Sequence, residues 1–359
     1  MSKPKSMRKA YSTALGEDYP DEIIIKLGDQ EIIYTKKMSL RYGENPHQPA
    51  AFYIPDTSNL SIGDMKLLKT GKSGLSMTNV EDVNNSMRIV SYFDEPACSV
   101  MKHVNPSGVA VSNGLNNSQR DVYVKARDCD SLAAYGSVVG FNTAVDEETA
   151  KEIMTTYVEC VVAPTYEDGC LEIFNERKTL RVIQVTGLET LSRYVGDPLT
   201  PLDISVQIDG SLILQAPLLT RIRGPSDLRF VTEREATARE QRDLVFSWYV
   251  CMNVRSNGVV LSKDNATIGI GTGQQDRVTA VQLAIDKARM RGHEELLGGS
   301  VLASDGFFPF RDSIELLGEN GVTACVQPGG SVQDKDIIAA CNEYGIAMAF
   351  TDERCFRHF

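Results

Sequence analysis

The sequence predicts an α/β protein built from two duplicated α/β lobes with mostly parallel sheets. Three observations carry this expectation: apolar strand-like runs alternating with helical spacing, an internal repeat, and a proline-rich stretch between the copies. In the first copy Lys102, Gly108, Lys125-Ala126-Arg127, Gly136-Ser137-Val138 and Ala163-Pro164 follow one another. Lys263, Gly269, Lys287-Ala288-Arg289, Gly299-Ser300-Val301 and Gln327-Pro328 recur in that order, at offsets of 161, 161, 162, 163 and 164. Offsets that drift upward by single residues are what loop insertions produce.

Each copy opens on an apolar strand ending in a turn and continues through a helix, 121–133 or 276–290. GSVV or GSVL then begins a strand, a second helix follows (147–157 or 311–318), and ECVVAP or ACVQPG supplies a third strand. Such alternation implies right-handed crossovers. Pro198, Pro201, Pro217 and Pro225 mark the junction. The first lobe, with an N-terminal extension, is expected over 1–202 and the second over 203–359.

Open α/β sheets bind ligands outside the carboxyl ends of their strands. Lys102-His103, Asn142, Ser262-Lys263 and Ser304-Asp305 all fall at strand ends in this reading. In MKHVNPSGVA, residues 101–110, the preceding run Ala97 to Met101 reads as a buried strand and Asn105-Pro106-Ser107-Gly108 as a turn. A neutral imidazole beside an ammonium suits acid–base chemistry, His103 as base and Lys102 for a developing oxyanion. The competing reading is an ordinary solvated strand end.

Other segments add candidates. SLRYGENPHQ, residues 39–48, packs Arg41, Tyr42, Asn45 and His47 into one loop, and Arg beside Tyr suits an anion next to a planar ring. TIGIGTGQQDR, residues 267–277, lacks the spacing of a phosphate or dinucleotide fingerprint. It reads either as a glycine-rich strand admitting a ligand to the backbone, with Arg277 opening the next helix, or as a tight turn with a surface Arg. ASDGFFPFRD, residues 303–312, is either a core plug or an aromatic wall for a heterocycle. The end, TDERCFRHF, carries Arg354, Arg357 and His358, and the strand-like GIAMAF before it argues for a docked tail.

Composition narrows the classes. The 359 residues contain no stretch near the roughly 18 apolar residues of a membrane span, and MSKPKSMRKAYS lacks the apolar core of a signal peptide. Eight scattered cysteines without a CxxC pair favour reduced thiols in a cytoplasm over disulfides or structural zinc. A net charge of −11 without a basic run speaks against nucleic acid, so an anionic ligand needs a local cluster of cations. No HxE with a later PCxxC, no GxSxG and no HExxH occurs, which excludes a zinc-deaminase mechanism and finds no hydrolase or zinc-protease motif.

Together, K-H-x-N-P-S-G, L-R-Y-G-E-N-P-H-Q, S-N-x-V-V-L, G-x-G-x-G-Q-Q-x-R, S-D-G-F-F-P-F-R-D and a terminal R-x-F resemble the transformylases of purine biosynthesis, from about residue 39 to the end. That family transfers a formyl group to 5-aminoimidazole-4-carboxamide ribonucleotide (AICAR). The resemblance implies cytidine-deaminase-like lobes, 10-formyltetrahydrofolate as co-substrate, a homodimer with shared active sites, and a monovalent cation near the terminal tail. It also implies His103 as proton acceptor and Lys102 as the group stabilising the transition state. Arg41, Tyr42, Asn79, Gly136, Glu159, Asn257, Arg277, Phe307 and Arg354 match nucleotide contacts, and Val278, Asp312, Ser331 and Val332 match the folate side.

Two departures shape the expectation. The bifunctional enzyme carries an N-terminal cyclohydrolase domain, whereas about forty residues precede LRYG here, so a stand-alone enzyme that leaves the ring open is expected. The tail reads Arg357-His358-Phe359 where the family ends in two histidines, and residues 290–300 form a short connection. Formate with ATP is therefore the alternative donor. An AICAR-binding regulatory paralogue with little turnover is the alternative from another class, and retention of both Lys102 and His103 favours the enzyme.

Overall fold

A computed structural model describes residues 10–11, 13–114, 118–198 and 203–358. The chain divides into two units, Met1–Thr190 and Leu191–Phe359. The junction expected at 202–203 lies at the edge of the segment 199–202, outside the described residues, as do Pro201 and Phe359.

The first unit opens with an antiparallel sheet of β1 (Glu22–Leu27), β2 (Gln30–Leu40) and β3 (Ala50–Pro55). Next come β4 (Lys66–Lys69), α1 (Met77–Val90), β5 (Ala97–Lys102), β6 (Asn105–Val111), α2 (Gln119–Asp128), β7 (Ser137–Phe141), α3 (Glu147–Met154), β8 (Val158–Ala163), α4 (Cys170–Asn175) and β9 (Arg181–Gln184). Its main sheet runs β6-β5-β7-β8-β9-β4.

The second unit begins with a hairpin, β10 (Asp203–Val206) and β11 (Leu212–Gln215). It continues through β12 (Arg229–Phe230), α5 (Ala238–Cys251), β13 (Val259–Lys263), β14 (Ala266–Gly271), α6 (Arg277–Met290), α7 (Glu294–Leu297), β15 (Val301–Ser304), α8 (Asp312–Glu319), β16 (Ala324–Gln327), α9 (Asp334–Glu343) and β17 (Ala347–Phe350). Its sheet order is β12-β17-β16-β15-β13-β14.

The repeat is thus structural as well as sequential. A helix, a hairpin and then alternating helices and strands recur, and even the caps correspond: Ser76 and Thr237 each close a capping box at the start of α1 and α5. The expected parallel pairing is found at β7-β8-β9 and β15-β16-β17, the strands joined through helices. Around them the pairing is antiparallel; for β5-β6 and β13-β14 this follows from two-residue connections such as 103–104, which allow only a hairpin. Strands β5 to β8 are buried almost throughout, which fits their Val- and Cys-rich composition.

Two sequence expectations are corrected. Asn105-Pro106-Ser107-Gly108 is the start of β6, not a turn. Pro106 is accommodated where the register shifts between Val100 and Met101. Gly108 is needed for packing: a Cβ there would lie 2.0 Å from the Ala126 carbonyl oxygen, as one at Gly269 would lie 2.2 Å from that of Ala284. The residue equivalent to Ala126 is therefore Ala284, and the Lys-Ala-Arg match at 287–289 sits one helical turn too far along α6. The glycines of TIGIG likewise seat a helix against the strand, since a Cβ at Gly271 would lie 1.9 Å from the Ala280 carbonyl oxygen.

Candidate active site

Polar residues gather at one edge of the first unit. Lys102 ends β5, and its Nζ donates to the Tyr135 carbonyl at 2.6 Å. Gly136 follows at φ +80°, a conformation that favours glycine, and its N–H reaches the Tyr157 carbonyl at 2.7 Å. His103 and Val104 form the hairpin turn with φ of +57° and +62°, and the His103 side chain is exposed at its tip. Asp82, buried on α1, accepts the Val104 N–H at 2.7 Å, and the N–H of His103 also faces it. Burial pushes the Asp82 carboxyl up to about 6, although the two N–H donors pull it down; Glu81 and Glu159 add to the rise.

One helical turn before Asp82, Asn79 donates through Nδ2 to Glu159 at 3.1 Å. Glu159 also lies 4.0 Å from Arg181, which opens β9 and donates through Nε to the Gly74 carbonyl at 3.0 Å. Arg41 is buried beside them. Its Nη2 donates to the Tyr42 hydroxyl at 2.9 Å, its guanidinium carbon stands 4.5 Å from the Tyr42 ring centroid, and its Nε has no partner among the described residues. Burial, then the charge of Arg181, lowers the pKa of Arg41. Two guanidiniums against one carboxylate give the local positive excess that an acidic chain needs to hold an anion.

This cluster departs from the carboxyl-end expectation. Because β5 runs antiparallel to β7, the end of β5 meets the amino ends of β7, β8 and β9, where Gly136, Glu159 and Arg181 lie. Asn142, at the opposite edge, spends its amide on the Phe93 and Glu95 carbonyls and the Ala97 N–H, which makes it a fold clamp.

The second unit gathers its candidates at the carboxyl ends of its parallel strands. Arg277, the first residue of α6, donates to Asp305 at 2.5 Å, to the Gly258 carbonyl at 3.1 Å and to Asn257 at 2.7 Å. Phe356 lies beside it, with the Arg277 and Arg354 guanidiniums 5.9 and 4.3 Å from its ring centroid. The tail is docked as expected: the Cys355 N–H donates to the Asp305 carbonyl and the Ser256 N–H to that of Arg357.

In the phenylalanine cluster Phe308 is fully buried, as a core plug requires, while Phe307 is 43% exposed. Val278 is half-buried beside Arg277. Asp312 accepts the Ser313 N–H and Ser331 that of Gln333, while Val332 is exposed. Among the described residues no hydrogen bond ties these three to the Arg277 group.

Sequence reading gave no role to Asp82 or Arg181, and it placed Asp305 at a strand end and Phe356 in the terminal R-x-F without assigning either a partner. Asp82 was accessible, because a residue three after Asn79 shares its helical face.

The fold and the first-unit cluster define a duplicated α/β protein with an exposed imidazole beside an ammonium and a buried pair of arginines. The family model described as AICARFT/IMPCHase bienzyme matches residues 6–287, and the chain belongs to this family. The bifunctional purine biosynthesis protein PurH of Magnetococcus marinus is 40% identical over 90% of this chain and 60% of its own length. Those of Aquifex aeolicus and Anoxybacillus flavithermus are 39% and 41% identical, over 92% and 96% of this chain and 62% of their own lengths. The chain thus spans about three fifths of these curated relatives. Among the described residues no helix is long and apolar enough to cross a membrane.

Proposed function

We propose that the protein transfers the formyl group of 10-formyltetrahydrofolate to the 5-amino group of AICAR in purine biosynthesis. The observation that carries this reading is the Lys102-His103 turn, clamped by Asp82 beside Arg41, Asn79 and Glu159. The AICAR amine is conjugated with its imidazole and is a weak nucleophile. It attacks the formyl carbon while His103 takes the amine proton, and Lys102 stabilises the tetrahedral oxyanion. Collapse breaks the bond from that carbon to N10, which then takes up a proton. Lys102 has two N–H donors left after its contact with Tyr135, and the buried arginines supply charge for an anionic group.

Asp312, Ser331 and Val332 offer an accessible surface to the folate. A homodimer with shared sites, a monovalent cation and a cytoplasmic setting belong to the same reading, and the eight buried free thiols suit the last. The test is an absorbance assay of the purified protein with AICAR and 10-formyltetrahydrofolate, beside formate plus ATP. Turnover with formyl-folate is expected. Turnover with formate and ATP alone would replace the donor, and nucleotide binding without turnover in either assay would overturn the enzymatic reading.

A further inference from the structure

The second unit repeats the clamp of the first with different residues at the tip. Asp243, 161 residues after Asp82, accepts the N–H groups of Asp264 and Asn265 at 3.1 and 2.8 Å. These tip residues have φ of +53° and +57°. Asp and Asn adopt that left-handed conformation readily, whereas a β-branched residue such as Val104 at φ +62° is an outlier. The turn carrying His103 is therefore strained where its counterpart is not, and strain of this kind persists only where the surroundings impose it.

We propose that Asp82 is a positioning residue for formyl transfer: by gripping the Val104 N–H in the 103–104 turn it holds Val104 left-handed and fixes His103 as the base. The proposal rests on the reading of His103 given above. Asp82 makes this contact from a buried place on α1, one turn from Asn79, so the base and the Asn79–Glu159 pair are set by one rigid helix.

The experiment compares Asp82→Asn with Asp243→Asn in the full chain. An Asn at 82 keeps one acceptor oxygen and loses the charge and the second. Asp82→Asn should lower kcat by about 10–100-fold while KM for AICAR stays within about twofold, the signature of a misplaced group that binding does not use. Asp243→Asn should lower thermal stability and leave kcat unchanged. Adding Val104→Asn, which relaxes the turn as Asn265 does, should restore several-fold of the lost kcat. If Asp82→Asn does not accumulate folded, Asp82→Asn/Val104→Asn against Val104→Asn alone makes the same comparison.

Unchanged kcat in the Asp82 variant, or an equal loss in the Asp243 variant, would overturn the proposal. If the wild-type protein transfers no formyl group, the functional reading falls on its own account. Positioning is then decided by NMR of the His103 ring: Asp82→Asn should broaden or split its resonance, and an unchanged resonance overturns the claim.

Discussion

Lys263 does in the second unit what Lys102 does in the first. Each ammonium lies 2.6 Å from a carbonyl oxygen, of Gly298 or Tyr135, immediately before a glycine in the left-handed region. The contact itself is therefore architectural, and a catalytic role for Lys102 must come from its remaining donors and its neighbour His103. Lys102→Met and Lys263→Met should lower stability by similar amounts, and only Lys102→Met should abolish turnover. Melting curves beside kcat separate the two effects.

His103→Ala should lose about 10²-fold or more in kcat, the value of a positioned general base, with AICAR affinity retained. Calorimetric titration with the nucleotide checks the second half. Near-native kcat in this variant would return the 102–103 pair to the status of a strand end.

Arg277 and Asp305 form a buried ion pair, 6% and 0% exposed. Arg277→Met leaves the carboxylate buried and unpaired, and should cost about 3–5 kcal/mol in urea unfolding. Adding Asp305→Asn should recover part of that loss.

The pH dependence of stability carries a signature of Asp82. Its folded-state value of about 6 stands above the usual carboxylate range, so the folded protein holds this proton more tightly than the unfolded chain. Its contribution is fully present below about pH 4 and is lost as pH rises through about 6. The groups facing it are Glu81 on its own helix, Glu159 on β8 and the 103–104 turn. The melting temperature of Asp82→Asn minus that of wild type should therefore become more positive from pH 4 to pH 7.

Shared sites in a homodimer can be tested by complementation between the two units. Arg41 and His103 lie in the same unit, joined through Glu159, Asn79 and Asp82. The informative lesions are therefore one per unit. His103→Ala mixed with Arg354→Ala should regain part of the activity after subunit exchange, whereas His103→Ala with Arg41→Ala should not. No recovery in the first mixture would leave each chain building its own site.

Much of the fold was legible because the repeat is written in residues that packing dictates. Gly108 and Gly269 admit a helix backbone, and Lys102 and Lys263 tie down a carbonyl. The 103–104 turn was misread because the strongest local turn signals, Asn105-Pro106 and Gly108, answer to a register shift and to α2. His103 and Val104, which form the turn, have no left-handed preference that a sequence pattern would flag. Arg181, and the partner of Asp305, were hidden for a related reason. A charged residue flanking an apolar strand reads as its solvated end, and only the arrival of Glu159 or Arg277 from a distant segment buries it.

The clamp has a consequence for how the chain folds. Asp82 reaches its turn across 22 residues and Asp243 across 21. Loop-closure entropy rises slowly with length, so contacts this local form at little entropic cost and favour rapid folding. Residues 76–111 and 237–271, each a capped helix folded onto its own hairpin, are thus expected to form before the later crossover strands, with higher φ-values for folding than those strands. In the first of them the local contact that closes the unit, Asp82 to the Val104 N–H, is also the one proposed to aim the imidazole, so a lesion at Asp82 should slow folding and formyl transfer together.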